Sequence, residues 1–498
     1  MGYWNLYFAA KLLLAWAGIL QPAWALNLLL GIALLLPLRN RRLVWLRQAL
    51  AIAAAAGLAV FESSPAAPRM LEQSAALSAF SPHYLLELAG RMPLAIVVWP
   101  GLLALLMYFA HKRLGQTATF VLLTVAAVPV WHSTNRLTVQ AAAVGASPST
   151  PSAAQASHAR ADSMDDHELQ LRAFRSAEGG RRVSFSPLGA APDEQFDIIV
   201  LHVCSLSWDD LNATEARNHP LLARFDYVFE NFNSATSYSN PAAIRLLRAS
   251  CGQQPHDALF GPTSAGCHLF VQLAHAGYEA QTLFNHDGRY DGFQEVVERE
   301  IGLLGVKVKP TRGLPIAMRA FDGSPLVGDH AALQQWYDDR LAQGGGPVAL
   351  YYNTVSLHDG NRLPQSRLSS LQSYPLRTQT LLDDVDKLIA QIERAGRRAA
   401  LVFVPEHGAA MHSHDGQVAG VRETPTPALV HVPVGVRLVG LDRGAEADAP
   451  VVIRQPSSYL ALAQLLSNLV ADSPYGSEAP ALANYAQGLP QTRLVSEN

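Results

Sequence analysis

The run Phe196-Asp-Ile-Ile-Val-Leu-His-Val-Cys204 decides the fold of the larger part of this chain. It is β-branched and apolar without alternation, the pattern of a strand covered on both faces. Comparable runs stand at Val348–Leu357, Ala399–Pro405 and Val432–Leu441, with helical patterns such as Leu376–Ala395 between them. Strands alternating with helices predict a mainly parallel sheet flanked by helices on both faces. Ligands of such sheets collect at the carboxyl ends of the strands. Cys204, His358 and Glu406-His407 all fall at such ends. No internal repeat is visible.

Upstream the composition changes twice. From Ala141 to about Pro192 the chain is rich in Ala, Ser, Pro and isolated charges, with too little apolar surface to fold alone. A short polar helix is expected within it, around Asp165–Arg175. Before Trp131 the chain is nearly all apolar, in five runs: Tyr7–Leu20, Trp24–Leu38, Val44–Phe61, Pro93–Ala110 and Thr117–Trp131. Measured against the roughly 20 residues a bilayer core requires, the first two are short and could form a tight hairpin or a re-entrant pair. A cleaved signal peptide does not fit, because four more apolar runs follow the first. The expected organisation is a transmembrane anchor of about five helices at 1–135, a flexible linker at 136–192, and a folded domain at 193–498.

Charge orients this arrangement. Arg39, Arg41 and Arg42 follow the second run, and Lys112 and Arg113 follow the fourth. With both clusters in the cytoplasm, the loop Glu62–Met92 and everything after Trp131 lie on the far side. The stretch through Arg136 carries ten basic and three acidic residues, leaving 28 basic and 38 acidic in the remainder. An anionic domain is a poor partner for nucleic acid. The cysteine count agrees with an oxidising compartment: Cys204, Cys251 and Cys267 allow one pair and one leftover or metal-binding thiol. Cys251 and Cys267 bracket a loop containing Gly, Pro, Ser and Thr and are the expected pair, whereas Cys204 sits apart at a strand end.

The residues able to do chemistry each admit a plainer reading. Ser239-Asn240-Pro241 precedes a helical pattern in which Asn240 can cap, Pro241 suits the first turn and Gly252 can end the helix. Ser239 then lies by a helix start, where free amides and the dipole favour a phosphate, or it is merely part of the capping turn. Glu406 and His407 would face opposite ways inside a strand, but beyond its end, with Gly408 giving a tight turn, both can face one site. With the Cys204 thiolate they suit one zinc ion, Ser239 taking a fourth position; a surface Glu-His pair is the bland alternative. His358 can serve acid–base work or simply hold its loop. Arg422 can grip a phosphate oxygen or stay solvated. His286, His412 and His414 receive no role.

Together these pieces resemble a known family. Cys204-Ser-Leu-Ser-Trp208, Asn231-Phe-Asn-Ser-Ala-Thr-Ser-Tyr-Ser239, Pro241-Ala-Ala-Ile-Arg-Leu-Leu-Arg-Ala-Ser-Cys-Gly252, Phe321-Asp-Gly-Ser-Pro325, Leu357-His-Asp-Gly-Asn361, Val404-Pro-Glu-His-Gly408 and Gln455-Pro-Ser-Ser458 are similar to the cellulose phosphoethanolamine transferases of bacterial cellulose secretion systems. These are a branch of the alkaline phosphatase-like phosphoethanolamine transferases. The wider superfamily usually has an acidic ligand, a threonine nucleophile and an Asp-His pair where this chain has Cys204, Ser239 and Glu406-His407.

The resemblance implies an alkaline phosphatase/sulfatase-like α/β domain in the periplasm, tethered to the inner membrane. It implies Zn2+ held by Cys204, Glu406, His407 and Ser239, and Ser239 as the nucleophile that takes phosphoethanolamine from phosphatidylethanolamine. The acceptor would be the 6-hydroxyl of glucose units in cellulose, with His358 moving protons and Tyr238 and Arg422 at the phosphate. A membrane-embedded cellulose synthase complex is the implied partner. Competing readings are a lipid A-type phosphoethanolamine transferase, a sulfatase-like hydrolase, and a non-enzymatic scaffold of the synthase.

Overall fold

The computed structural model describes residues 23–35, 40–62, 80–91, 167–189, 191–412, 419–420, 422, 424–441 and 449–498, with a few isolated positions before residue 39. Two compact units divide the chain: Met1–Ala79 with Leu85–Ala159, and Phe80–Tyr84 with Arg160–Asn498.

In the first unit the helices Trp24–Leu35 and Arg41–Glu62 pack through Leu30, Leu34, Ala51, Ala55 and Leu58. Lys11 Nζ is buried and donates to Asn27 Oδ1 at 2.8 Å. Trp45, Leu46, Leu50 and Ile52 leave their apolar side chains exposed. Among the described residues no helix is long and apolar enough to cross a membrane. Of the five expected spans, Pro93–Ala110 and Thr117–Trp131 lie outside the described residues, and Tyr7–Leu20 is described at a few positions only.

The second unit is built on an eight-stranded sheet in the order β10-β2-β9-β8-β1-β7-β3-β4. Its strands are β1 (Asp197–Cys204), β2 (Tyr227–Asn233), β3 (Glu279–Phe284), β4 (Val308–Lys309), β7 (Val348–Thr354), β8 (Ala399–His407), β9 (His431–Val439) and β10 (Val451–Ile453). A separate antiparallel pair comprises β5 (Ile316–Arg319) and β6 (Pro325–Val327). Only β9 runs against its neighbours in the large sheet; β8–β1–β7–β3 at the centre are all parallel.

Because side chains alternate along a strand, β1 feeds two cores. Ile198 and Val200 join one with the helices Leu269–Ala276 and Tyr459–Ala471. Ile199, Leu201 and Val203 join the other with the helices Asp329–Gln343 and Ser370–Arg394. That is the doubly covered parallel sheet expected from the apolar strand runs.

Five local expectations are corrected. The strand β8 runs on through Glu406 and His407, which therefore do not lie beyond a strand end. Gly408 supplies room, not a turn: a Cβ there would stand 2.8 Å from Ser207 Oγ and 3.0 Å from the Ala428 carbonyl oxygen. The helix Ser239–Leu247 is capped at Tyr238, with extended backbone, while Asn240 turns its amide to the carbonyl oxygen and carboxylate of Asp291. Its C-terminal cap is Arg248, and Gly252 lies against the upstream segment instead. From residue 167 the stretch expected as linker packs onto the large unit. The short helix expected around Asp165–Arg175 is present over residues 167–179, and Val183 and Phe185 then enter the core. The Cys251–Cys267 disulfide is present.

At Gly252 an added Cβ would stand 2.2 Å from the backbone oxygen of Glu178, an atom that cannot rotate away. Gly252→Ala is expected to destabilise the large unit by about 1–3 kcal/mol, the usual cost of overpacking. Denaturant unfolding of the full chain checks this: the midpoint should fall with an unchanged slope.

Candidate metal centre

Adjacent residues on a strand normally point to opposite faces. Here the register against β1 pairs Val203 with Pro405 but Cys204 with His407, so Glu406 is an extra residue. This bulge turns both Glu406 and His407 toward the end of β1. Ligand atoms of Cys204, Glu406 and His407 all lie within 4.8 Å of one another, and all three residues are fully buried. Cys204 Sγ is 3.9 Å from His407 Nε2, and His407 Nε2 is 3.7 Å from Glu406 Oε2. Ser239, the first residue of its helix, brings Oγ to 3.4 Å from the same sulfur.

The surroundings fix each group. His407 Nδ1 donates to the Gly408 carbonyl oxygen at 2.9 Å, which leaves the Nε2 lone pair facing the sulfur and carboxylate. Glu406 Oε1 accepts from Asn353 Nδ2 at 2.7 Å, while Oε2 is buried without a hydrogen-bond partner. Asn353 Oδ1 in turn receives His286 Nε2 at 2.8 Å, and the backbone amide of Gly288 donates to His286 Nδ1. His286 thus orients the amide that orients Glu406.

Electrostatics say what is missing from the protein alone. Burial, then the Glu406 carboxylate, pushes the Cys204 thiol up to about 12, against the pull of Arg422. Burial also raises the Glu406 carboxyl, and burial followed by Arg422 holds His407 well below the ordinary imidazole range. A buried thiol, a buried carboxyl with an orphaned oxygen and a neutral imidazole are uncomfortable together without a cation. They fit a divalent ion of the zinc type, which takes S, N and O donors.

Arg422 sits beside this group. Its Nη1 donates to Ser205 Oγ at 3.0 Å and lies 3.2 Å from His407 Nδ1, while Nη2 donates to His358 Nε2 at 3.1 Å. The Ser237 hydroxyl donates to its carbonyl oxygen at 2.6 Å. His358 Nδ1 donates to the Asp359 carbonyl oxygen at 2.6 Å, and burial with the nearby Arg422 charge lowers its pKa to about 3. Tyr238 precedes Ser239 in the turn, and its phenol acts on Arg422 electrostatically.

The structure therefore gathers Cys204, Ser239, Glu406 and His407 at one point, with Arg422, His358 and Tyr238 around them. His412 is exposed outside this set, and His414 lies outside the described residues. Residue-by-residue reading overlooked Asn353, Ser205 and Tyr374, whose hydroxyl donates to the Ser205 carbonyl oxygen at 2.6 Å. Asn353 gave one signal: a polar residue inside an apolar strand run.

Fold and site together define an α/β protein that assembles a Cys-Glu-His cluster able to hold a cation, and a helix-start serine, at the carboxyl ends of its central strands. Residues 151–498 match the family described as "Cellulose biosynthesis protein BcsG C-terminal domain", and residues 4–130 match its N-terminal domain. Cellulose biosynthesis protein BcsG of Escherichia coli (strain K12) is 34% identical over 523 residues, covering 99% of this chain and 91% of the relative. That of Salmonella typhimurium is 35% identical over 521 residues, with the same coverage. The chain belongs to the BcsG family. Among solved structures, the integral membrane lipooligosaccharide phosphoethanolamine transferase A of Neisseria meningitidis aligns at 14% identity. Its TM-score is 0.43 over 78% of this chain and 77% of that one, a likeness too loose to build on.

Two outcomes are expected from direct metal titration. Asn353→Leu removes the donor to Glu406 and should weaken zinc affinity about 10–100-fold, read by competition with a chromogenic chelator. Burial and the Glu406 carboxylate keep the metal-free thiol protonated at ordinary pH, so binding must release its proton. Affinity should then rise about tenfold per pH unit between roughly pH 7 and 9; a flat profile excludes Cys204 as a ligand.

Proposed function

We propose that this protein is a membrane-anchored phosphoethanolamine transferase whose Ser239 carries the group from phosphatidylethanolamine to the 6-hydroxyl of glucose units in cellulose. One observation carries the reading: a serine hydroxyl at a helix start, 3.4 Å from the sulfur of a buried Cys-Glu-His cluster. Membership of a cellulose biosynthesis family supports the acceptor. The exposed apolar side chains of the helix Arg41–Glu62 support a bilayer setting beside a lipid donor, with the synthase complex as neighbour.

The residues that would hold zinc are Cys204, Glu406, His407 and Ser239. Bound there, the ion would lower the pKa of an attached oxygen and offset charge on a phosphoryl group. The chain's own groups do the rest. Ser239 Oγ forms the new bond to phosphorus while the bond to the glycerol oxygen breaks and diacylglycerol leaves. The sugar hydroxyl then attacks the same phosphorus, the bond to Oγ breaks, and serine is restored. The first amides of the helix Ser239–Leu247 point donors at the phosphoryl oxygens. Arg422 presents its planar fork to the same charge.

His358 suits proton transfer because its Nε2 lone pair faces the site and its Nδ1 proton is held by the Asp359 carbonyl. Burial and Arg422 keep it neutral at rest. A phosphodiester anion arriving beside Arg422 cancels that charge and makes protonation of the imidazole easier. The proton leaving Ser239 can then reach the glycerol oxygen, and the sugar's proton can return by the same route.

Intact-mass measurement of the full chain in detergent, after exposure to phosphatidylethanolamine, tests the reading. The protein should gain one phosphoethanolamine group, and Ser239→Ala should gain none. An adduct on the variant, or none on the wild type, overturns it. His358→Ala should slow adduct formation by about 10²–10⁴-fold without loss of bound zinc.

A further inference from the structure

The loop holding His358 is gripped from two sides. On one side the helix Ser370–Arg394 provides Arg377, whose Nη1 donates to the carbonyl oxygens of Ser356 at 2.6 Å and His358 at 3.2 Å. Ser370 Oγ accepts from the Gly360 amide at 2.7 Å. On the other side stands a segment that belongs, in sequence, among the apolar runs: Phe80–Tyr84, between the third run and the fourth.

This segment reaches the loop through several unlike contacts. The Tyr84 hydroxyl donates to Asp359 Oδ2 at 2.8 Å across a separation of 275 residues, and both residues are buried. The Ser81 amide donates to the Phe321 carbonyl oxygen at 2.9 Å. The Phe321 ring stacks on the His358 imidazole at 4.2 Å and meets Phe80 edge-on at 5.6 Å. Gly360, at φ +86°, lies so close that a Cβ would stand 2.5 Å from Phe321 Cβ and 2.9 Å from Tyr84 Cδ2.

We propose that Phe80–Tyr84 is a positioning element of the reaction centre: Tyr84, through Asp359, and Phe80, through Phe321, hold His358 in its working orientation. The atom that matters is His358 Nε2, and its direction follows from the Nδ1 bond to the Asp359 carbonyl. Asp359 thus has two tasks, its backbone oxygen fixing the imidazole and its carboxylate being fixed by Tyr84. Phe321 closes the ring's face, so rotation of His358 would require the aromatic group to open. The start of the helix Pro82–Arg91, in the apolar third of the chain, thereby becomes part of the site, on the side of the membrane where the charge pattern places Glu62–Met92.

The test uses the full chain in detergent with Tyr84→Phe, which keeps the ring, and Phe80→Ala. Its first readout is the rate of diethyl pyrocarbonate modification at His358 relative to the exposed His167, by peptide mass spectrometry. Losing one hydrogen bond to a charged acceptor should raise that ratio by about tenfold or more in Tyr84→Phe. An unchanged ratio in both variants overturns the proposal, whatever the enzyme does. The second readout rests on the function proposed above: turnover should fall while KM for the lipid donor stays constant. A purely structural role would lower the melting temperature and leave both readouts unmoved. A wild type that forms no serine adduct would refute that function while the labelling ratio still judges the positioning role.

Discussion

One extra residue in β8 shapes the whole site. Without the bulge at Glu406, the alternation of a strand would send either the carboxylate or the imidazole to the far side of the sheet. With it, both meet the thiol that ends β1. The rest of the centre depends on that crowding. Three ionisable groups, fully buried within 4.8 Å, have no comfortable protonation pattern by themselves, and together they suit a divalent ion.

The layers around the cluster show how that arrangement is kept. His286 and Asn353 fix one oxygen of Glu406, and the Gly408 carbonyl fixes the tautomer of His407. Gly408 is glycine because Ser207 and the Ala428 carbonyl crowd it on the neighbouring side. Arg422 ties the cluster to His358 through one guanidinium. Burial, with the positive charge of Arg422 alongside, keeps both imidazoles neutral.

The position of the site follows from the sheet. Central parallel strands bring β1, β7 and β8 to end on the same edge, and the loop after β7 carries His358 there. Ser239 arrives from a different direction, at the start of the helix after β2. The segment Phe80–Tyr84, distant in sequence, groups with Arg160–Asn498 and meets the loop that carries His358.

Much of this was legible in residues 193–498 alone. Unbroken apolar runs mean strands covered on both faces, because only there does neither face need polar side chains; this settled the parallel sheet and its helices. Strand-end positions singled out Cys204, His358 and Glu406-His407, a helix start and a loop guanidinium offered Ser239 and Arg422, and likeness of motifs supplied Tyr238. Tertiary structure decided the rest. A bulge is a mismatch between two strands and cannot be read from one, so Glu406 and His407 were expected past the strand end. Glycine looks alike in a turn and in a close approach, which is why Gly252 and Gly408 were given the wrong reasons. Tyr84 and Asp359 meet across 275 residues, and no local pattern records a contact made only when the chain is folded.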